Sequence, residues 1–203
     1  MPVIAISGGI STGKTTFCEC LREVLPTAKF FNADEAAHML LELSEVKREI
    51  RAEFGRCVFS SHGDLNRARL RAIIFGDANK KRALERILHP RIRRQWRTEA
   101  KSYSNAPNVF FADIPLLYET GGETLCDRVV VVSCSERIQL ARLKKRLSIT
   151  ATEARKMIES QVSLKEKMRR ADHVIWNNGD REVLIEQARF LVALWQGQTW
   201  TKK

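Results

Sequence analysis

A three-layer α/β fold, with about five parallel strands between layers of helices, is what this 203-residue sequence predicts, and three observations carry the prediction. Five apolar runs of strand length alternate with stretches of helical periodicity: Val3 to Ser7, Lys29 to Phe31, Val109 to Ala112, Arg128 to Ser133 and His173 to Trp176. That alternation builds a parallel sheet covered on both faces. A glycine-bearing loop, Gly8 to Thr15, joins the first run to a helical stretch. A segment of about 34–105 reads helical throughout, far more chain than one crossover needs, so a helical subdomain is expected to be inserted into the sheet topology.

The elements follow in order from spacing and punctuation. Within the long segment, Ala36, Met39, Leu40, Leu43, Val46 and Ile50 keep helical spacing, as do Leu84, Leu88, Ile92 and Trp96, and Pro90 should kink or end the helix it falls in. A second helical insertion is expected from Glu136 to about Gln161. The last helix carries Leu184, Ala188, Leu191 and Trp195 on one face and closes the fold. With 44% hydrophobic residues the chain can bury one core of ordinary size, so a single domain with appended parts is expected.

Composition narrows the class. No apolar run approaches the roughly 20 residues that span a bilayer, and Val3 to Ile6 has no basic segment before it, so a soluble, unexported protein without a membrane partner is expected. The cysteines, Cys18, Cys20, Cys57, Cys126 and Cys134, are odd in number and lack C-x-x-C spacing, which points to reduced structural thiols and a cytoplasmic setting. Net charge is +11, with 35 Lys and Arg against 24 Asp and Glu. Such a surface draws polyanions, whether phosphorylated metabolites or nucleic acid. Aromatic residues at 7% supply few stacking platforms for single strands, which favours the metabolite and leaves no nucleic-acid partner expected.

The sharpest signal is Gly8-Gly9-Ile10-Ser11-Thr12-Gly13-Lys14-Thr15, which fits G-x-x-x-x-G-K-[ST] in the required place, after a strand and opening a helix. A triphosphate needs many donors at short range. Glycines let backbone N–H groups of Gly9, Ile10, Ser11, Thr12 and Gly13 turn toward it, and the helix N-terminus adds its positive dipole end. Lys14 is a mobile charge for the β- and γ-phosphates, Thr15 a hydroxyl ligand for Mg²⁺, and Thr16 a support on the α-phosphate side. These features define a P-loop NTPase fold that binds a nucleoside triphosphate. The absence of an N/T-K-x-D element weighs against guanine and leaves ATP preferred.

Other residues carry two readings each. Asp34 follows a core strand, where ligands gather in open α/β sheets, so its carboxylate suits a base for an attacking hydroxyl; it also precedes Glu35-Ala36-Ala37 and suits a helix cap. Asp113 ends the third strand, as an acid holding Mg²⁺ would, or serves as a turn former before Pro115. Gln139, Arg142 and Arg146 fall at i, i+3, i+7 on one helical stripe, while Leu140, Leu143 and Leu147 form the packing stripe. Such a stripe is a phosphate clamp or a solvated basic face.

Taken in order over nearly the whole chain, several segments resemble the dephospho-CoA kinase family. They are Gly8 to Thr16, Asn32-Ala33-Asp34, Gly63 to Arg67 with Leu70-Arg71 and Ile74-Phe75, Leu88-His89-Pro90, Pro115 to Glu119, Gln139 with Arg142 and Arg146, Gln161, and Ala171-Asp172 with Asn177, Asn178 and Gly179. The resemblance implies transfer of the ATP γ-phosphoryl group, with Mg²⁺, to the ribose 3′-hydroxyl of dephospho-CoA, the last step of coenzyme A synthesis, by a monomer or weak homo-oligomer. It implies catalysis by Asp34, Lys14 and Arg142. It places Asp34, His89, Leu116 and Glu119 near the acceptor, makes the 136–161 insertion a lid bearing Arg142 and Arg146, and puts Asn177 to Gly179 near the adenine end of ATP. Where the family commonly has Asp-x-Asp after the second strand, this chain has Asn32 first, which concentrates the acid–base role on Asp34. Other small-molecule kinases of the same fold and a nucleic-acid-dependent ATPase are the alternative readings.

Overall fold

The computed structural model describes residues 2–103 and 109–196. Its strands are β1 (Val3–Gly8), β2 (Lys29–Asn32), β3 (Phe110–Asp113), β4 (Arg128–Ser133) and β5 (His173–Trp176), joined in one sheet of order β2-β3-β1-β4-β5. β1 pairs in parallel with β3 and β4, and β4 with β5. The central strands β1 and β4 are buried along nearly their whole length, which is why they read as unbroken apolar runs rather than alternating ones. The third strand begins one residue later than expected and takes in Asp113, in register with Ile6 of β1.

Helices α1 (Lys14–Val24) and α9 (Arg181–Gln196) pack together on the sheet. Phe17 and Leu21 of the first and Leu184, Ala188 and Trp195 of the second share a core with Ile4, Ile6, Phe111, Val130 and Val132. Trp195 lies 5.9 Å from the Phe111 ring, and its indole Nε1 donates to His173 Nε2 at 3.4 Å. Truncating such a buried Trp to Ala typically costs roughly 3–5 kcal/mol. The connection from β1 leads beyond β3 to β2, while that from β3 leads past β1 to β4. This divergence opens a crevice at the carboxyl ends of β1 and β3, the place where open α/β sheets bind ligands.

The chain divides into two compact units, one of residues up to Phe31 and from Glu99 onward, the other Asn32–Thr98. The second holds α2 (Ala33–Leu40), α3 (Ser44–Phe54), α4 (Arg67–Gly76) and most of α5 (Ala78–Ser102) around Val46, Ile50, Phe54, Val58, Leu70, Leu84 and Leu88. It is not helical throughout. From Gly55 to Asn66 the chain makes a 3-10 turn at Arg56–Val58 and an isolated antiparallel bridge between Phe59 and Leu65. The reason is local: Gly55 and Gly63 adopt φ of 78° and 89°, conformations that other residues resist, and the Ser60 hydroxyl accepts from the Asp64 N–H. Nor does Pro90 end its helix, for α5 continues past it over 25 residues. The carbonyl that Pro90 deprives of a donor is that of Arg86, and the next one, Ile87, accepts from the Arg91 guanidinium at 2.7 Å. The helical unit also stops short of residue 105. Tyr103 stacks on Phe110 of β3, 6.3 Å between centroids, and so belongs with the sheet; residues 104 and 105 lie outside the described residues.

In the sheet unit, the stretch 136–161 folds as α6 (Glu136–Leu147) and α7 (Ala151–Glu159), followed by α8 (Leu164–Arg170). Thr150 and Glu153 start α7 with a reciprocal capping box. Among the described residues, no helix is long and apolar enough to cross a membrane.

Candidate active site

β1 ends at Gly8, where an added Cβ would come 2.6 Å from the Val132 carbonyl of β4. Only glycine lets the chain turn so close to a neighbouring strand. Gly13, with φ 92° and ψ 24°, precedes the first residue of α1, and a Cβ there would strike the Asn177 amide. The helix therefore begins at Lys14 with its unpaired N–H groups facing the loop.

Side chains from the second half of the chain grip this loop by its backbone. Lys167 Nζ donates to the Gly8 carbonyl at 3.1 Å, Gln139 Nε2 to the Ile10 carbonyl at 2.8 Å, and Asn177 Nδ2 to the Thr12 carbonyl at 2.8 Å. Gln161 Oε1 accepts from the Ile10 N–H at 3.1 Å. Arg142 donates to the Asn177 carbonyl at 3.1 Å and reaches the Thr12 carbonyl at 3.4 Å. Thr12 Oγ1 closes the loop on the Gly9 carbonyl at 2.9 Å. The negative ends of the Gly8, Ile10 and Thr12 dipoles are thus each met by a donor, which removes the charge that would repel an anion from the loop. Ser11 sits at φ 59°, a conformation costing a non-glycine residue of order 1–3 kcal/mol, and its Oγ is buried with no hydrogen-bond partner. A strained loop with a buried unpartnered hydroxyl fits a phosphate group.

Lys14 forms an ion pair with Asp113, and both side chains are nearly covered. Asp113, buried at the end of β3, is therefore no mere turn former; it holds the cation of the phosphate loop across the crevice between β1 and β3. Burial pushes the nearby Cys18 thiol up to about 12, with the Asp113 charge adding to the rise and Lys14 opposing it, so the thiol stays protonated and inert. Thr15 is exposed and Thr16 half-buried at the start of α1. Among the described residues, no group of three or more His, Cys, Asp or Glu gathers as a metal cage. One exposed hydroxyl and one carboxylate instead suit Mg²⁺, which keeps its waters and takes phosphate oxygens.

The α6 stripe divides along its length. Gln139 is buried, Arg142 half-buried and Arg146 exposed, bonded to none of the loop groups. The leucine stripe divides too: Leu143 is fully buried, while Leu147, expected to pack, is 40% exposed. The inward face of α6 is thus shared by Gln139, Arg142 and Leu143, because the phosphate loop offers α6 backbone groups that a leucine cannot bond. Asn177, placed near adenine by the resemblance, has its amide engaged by the loop. Asn178 accepts from the Ser135 N–H at 2.8 Å, fixing the start of α6, and Gly179 is exposed.

After β3, Leu116 is half-buried and its carbonyl accepts from the Thr120 hydroxyl. Glu119 accepts from the Val162 N–H at 3.0 Å and pairs with Lys167 at 2.9 Å. Lys167, fully buried, is the residue that sequence reasoning missed. A signal was available: Leu164 stands three residues before it, which puts Lys167 on the apolar side of α8, an unusual seat for a charge unless acceptors await it.

In the helical unit, Asn32 caps α2. Its Oδ1 accepts from the N–H groups of Asp34 at 2.9 Å and Glu35 at 3.2 Å, while its amide reaches Glu35 Oε1 at 3.3 Å. The cap is therefore Asn32 and not Asp34, whose exposed carboxylate stands in the first turn. His89 lies within α5, not at a helix end, and burial depresses its pKa below the usual imidazole value, with Arg93 and Lys81 acting in the same sense and Glu85 against it.

A five-stranded sheet of this order, with a phosphate loop after its central strand and an acid at the end of the next, defines a P-loop NTPase fold of the kinase kind. Comparison with known proteins narrows that class. A profile of the dephospho-CoA kinase family matches residues 2–182. A dephospho-CoA kinase of Geobacillus kaustophilus is 38% identical over 195 residues, covering 95% of this chain and 96% of its own. One of Syntrophotalea carbinolica is 39% identical over 196 residues, covering 95% and 92%. A solved structure from Thermus thermophilus superposes with a TM-score of 0.80 at 28% identity, covering 98% of each chain. The chain belongs to the dephospho-CoA kinase family.

Proposed function

We propose that the protein transfers the γ-phosphoryl group of ATP to the 3′-hydroxyl of dephospho-CoA, and that the residues described above divide this work. The observation that carries the reading is the phosphate loop, whose carbonyls at Gly8, Ile10 and Thr12 are each held by a side-chain donor, beside the Lys14–Asp113 pair. Lys14 exchanges Asp113 for the β- and γ-phosphate oxygens, a swap between anions that keeps its charge compensated throughout. Thr15 and the released Asp113 are the residues to hold Mg²⁺, directly or through water; when bound, the ion draws charge from the transferring group. Arg142 keeps its place against Thr12 and Asn177 and turns a guanidinium N–H toward the transferring oxygens. Arg146, exposed, joins it only in a closed lid. Gly9 to Thr16 cradle the triphosphate, with Asn177 and Gly179 beside the nucleoside.

On the acceptor side, Asp34 orients the ribose hydroxyl and takes its proton late in the transfer, since an alcohol is too weak an acid to lose it beforehand. Asn32 supplies the cap that leaves this carboxylate unengaged by the helix. His89, Leu116 and Glu119 belong to the dephospho-CoA side. The protein works in the cytoplasm, as a monomer or weak homo-oligomer. The test is ADP release from MgATP with dephospho-CoA, set against AMP, CMP and pantetheine phosphates. Clear preference for dephospho-CoA is expected, and equal rates with all four would sink the acceptor assignment.

A further inference from the structure

We infer that Lys167 is a positioning residue that aligns the acceptor-side loop with the phosphate loop, an inference resting on the kinase reading above. An ammonium group has three protons to donate. Those of Lys167 meet three acceptors: the Gly8 carbonyl at 3.1 Å, the Pro115 carbonyl at 3.2 Å and Glu119 Oε1 at 2.9 Å. One belongs to the phosphate loop, and two belong to the turn after β3. Gly8 is the last residue of β1 and the first of the phosphate loop. Pro115 opens the turn after Asp113, and its carbonyl also accepts from the Ser7 hydroxyl at 3.3 Å. Glu119 lies further along that turn and binds the Val162 N–H, where the chain returns from α7. A single buried cation thus ties the phosphate loop, the segment behind Asp113 and the base of the lid to one another.

Stability alone does not account for a lysine here. Burying an ammonium group is costly, and a buried ion pair is often matched or exceeded in stability by apolar residues of similar volume. A methionine of nearly the same length, with Glu119 neutralised as well, would fill the space without the desolvation cost. What it cannot do is fix acceptors from two segments at hydrogen-bond distances and, through Glu119, reach a third at Val162. Phosphoryl transfer rewards that fixing, because displacement of the reacting groups by about 1 Å can cost on the order of 10²-fold in rate.

The test is Lys167→Met, with Glu119→Gln and the double variant, assayed for kcat, KM of dephospho-CoA, ATP affinity by nucleotide titration, and thermal stability. For Lys167→Met we expect a lowered midpoint, because Glu119 loses its partner, with part of that loss restored by Glu119→Gln in the double variant. We expect kcat/KM for the acceptor to fall by about 10²-fold per folded molecule, with ATP affinity changed less. The double variant should be no worse than Lys167→Met alone, because the two residues act as one unit. A lowered midpoint with normal kinetic constants per folded molecule would show that Lys167 serves only to hold the fold, and would overturn the proposal. If Lys167→Met yields no folded protein, Glu119→Gln is read alone: it keeps the oxygen that accepts from Val162 and withdraws the charge, and normal kcat/KM in it would likewise overturn the proposal. A wild-type enzyme inactive on dephospho-CoA would refute the acceptor assignment instead, and the same variants would then be read with the alcohol the wild type does phosphorylate.

Discussion

The phosphate loop and the start of α2 both follow a strand of the same sheet, yet they are held in opposite ways. The loop after β1 is gripped from outside, by Gln139, Arg142, Gln161, Lys167 and Asn177, side chains from as far as 165 positions along the chain. The turn after β2 is held by its own residues: Asn32 caps Asp34 and Glu35, and Glu35 answers Asn32. The difference teaches where rigidity has to come from. Thr12 closes the loop on the Gly9 carbonyl through its N–H at 3.3 Å and its hydroxyl at 2.9 Å. A loop that must present backbone N–H groups cannot bond them all internally, so distant side chains hold the Gly8, Ile10 and Thr12 carbonyls and the Ile10 N–H. A single exposed carboxylate needs only a helix first turn to stand on.

The comparison breaks most sharply at Lys14. Lys14→Ala should lower kcat by about 10⁴-fold, within the range attributed to one cation on a transferring phosphoryl group, and it leaves Asp113 buried without its partner. Retention of most of the turnover, measured with saturating MgATP, would end the role assigned to Lys14. Asp34→Asn comes next, with kcat and kcat/KM falling together by roughly 10²- to 10⁴-fold, the usual scale for an acid–base group. Because Asn32 is the cap, the thermal midpoint of this variant should stay put; a drop in midpoint with normal turnover would assign Asp34 to the helix and not to the chemistry.

Asn32→Ala sharpens the same contrast from the other side. Loss of the cap should cost about 1 kcal/mol in urea unfolding, with a kcat effect well below that of Asp34→Asn. Arg142→Lys should lower kcat by about tenfold, which corresponds to one charge-assisted hydrogen bond of roughly 1.5 kcal/mol, since an ammonium cannot reach Thr12, Asn177 and a phosphate oxygen together. Arg146→Lys, on an exposed side chain, should do less.

The smallest effect concerns acid. Burial depresses the pKa of both His89 and His173 in the folded protein. Above the unfolded imidazole value of about 6.5 neither affects stability. As pH falls below it, the unfolded chain takes up protons that these residues refuse when folded, so stability declines with acidification. His89→Gln should flatten part of that decline in thermal midpoints measured between about pH 7 and 5; an unchanged slope would mean that His89 is protonated as easily folded as unfolded.

Sequence by itself determined the layers of this protein, the place of its phosphate loop and its family. Hydrophobic periodicity and the glycine–lysine signature are local and repeat with the geometry of strand and helix, so Val3 to Gly8, Gly13, Lys14 and the apolar stripe of α9 were all legible before folding. Local too, though misread, was the break from Gly55 to Asn66, where two glycines overrode helical spacing. Only the tertiary structure decided which polar groups meet. That Asp113 holds Lys14, that Gln139 faces inward while Leu147 does not, and that Lys167 is buried against Gly8, Pro115 and Glu119 all depend on segments brought together from far apart in the chain. A side chain's own residue type states what it can bond. Which backbone carbonyl it finds is set by the packing of the sheet and its helices, and no spacing within a single segment encodes that.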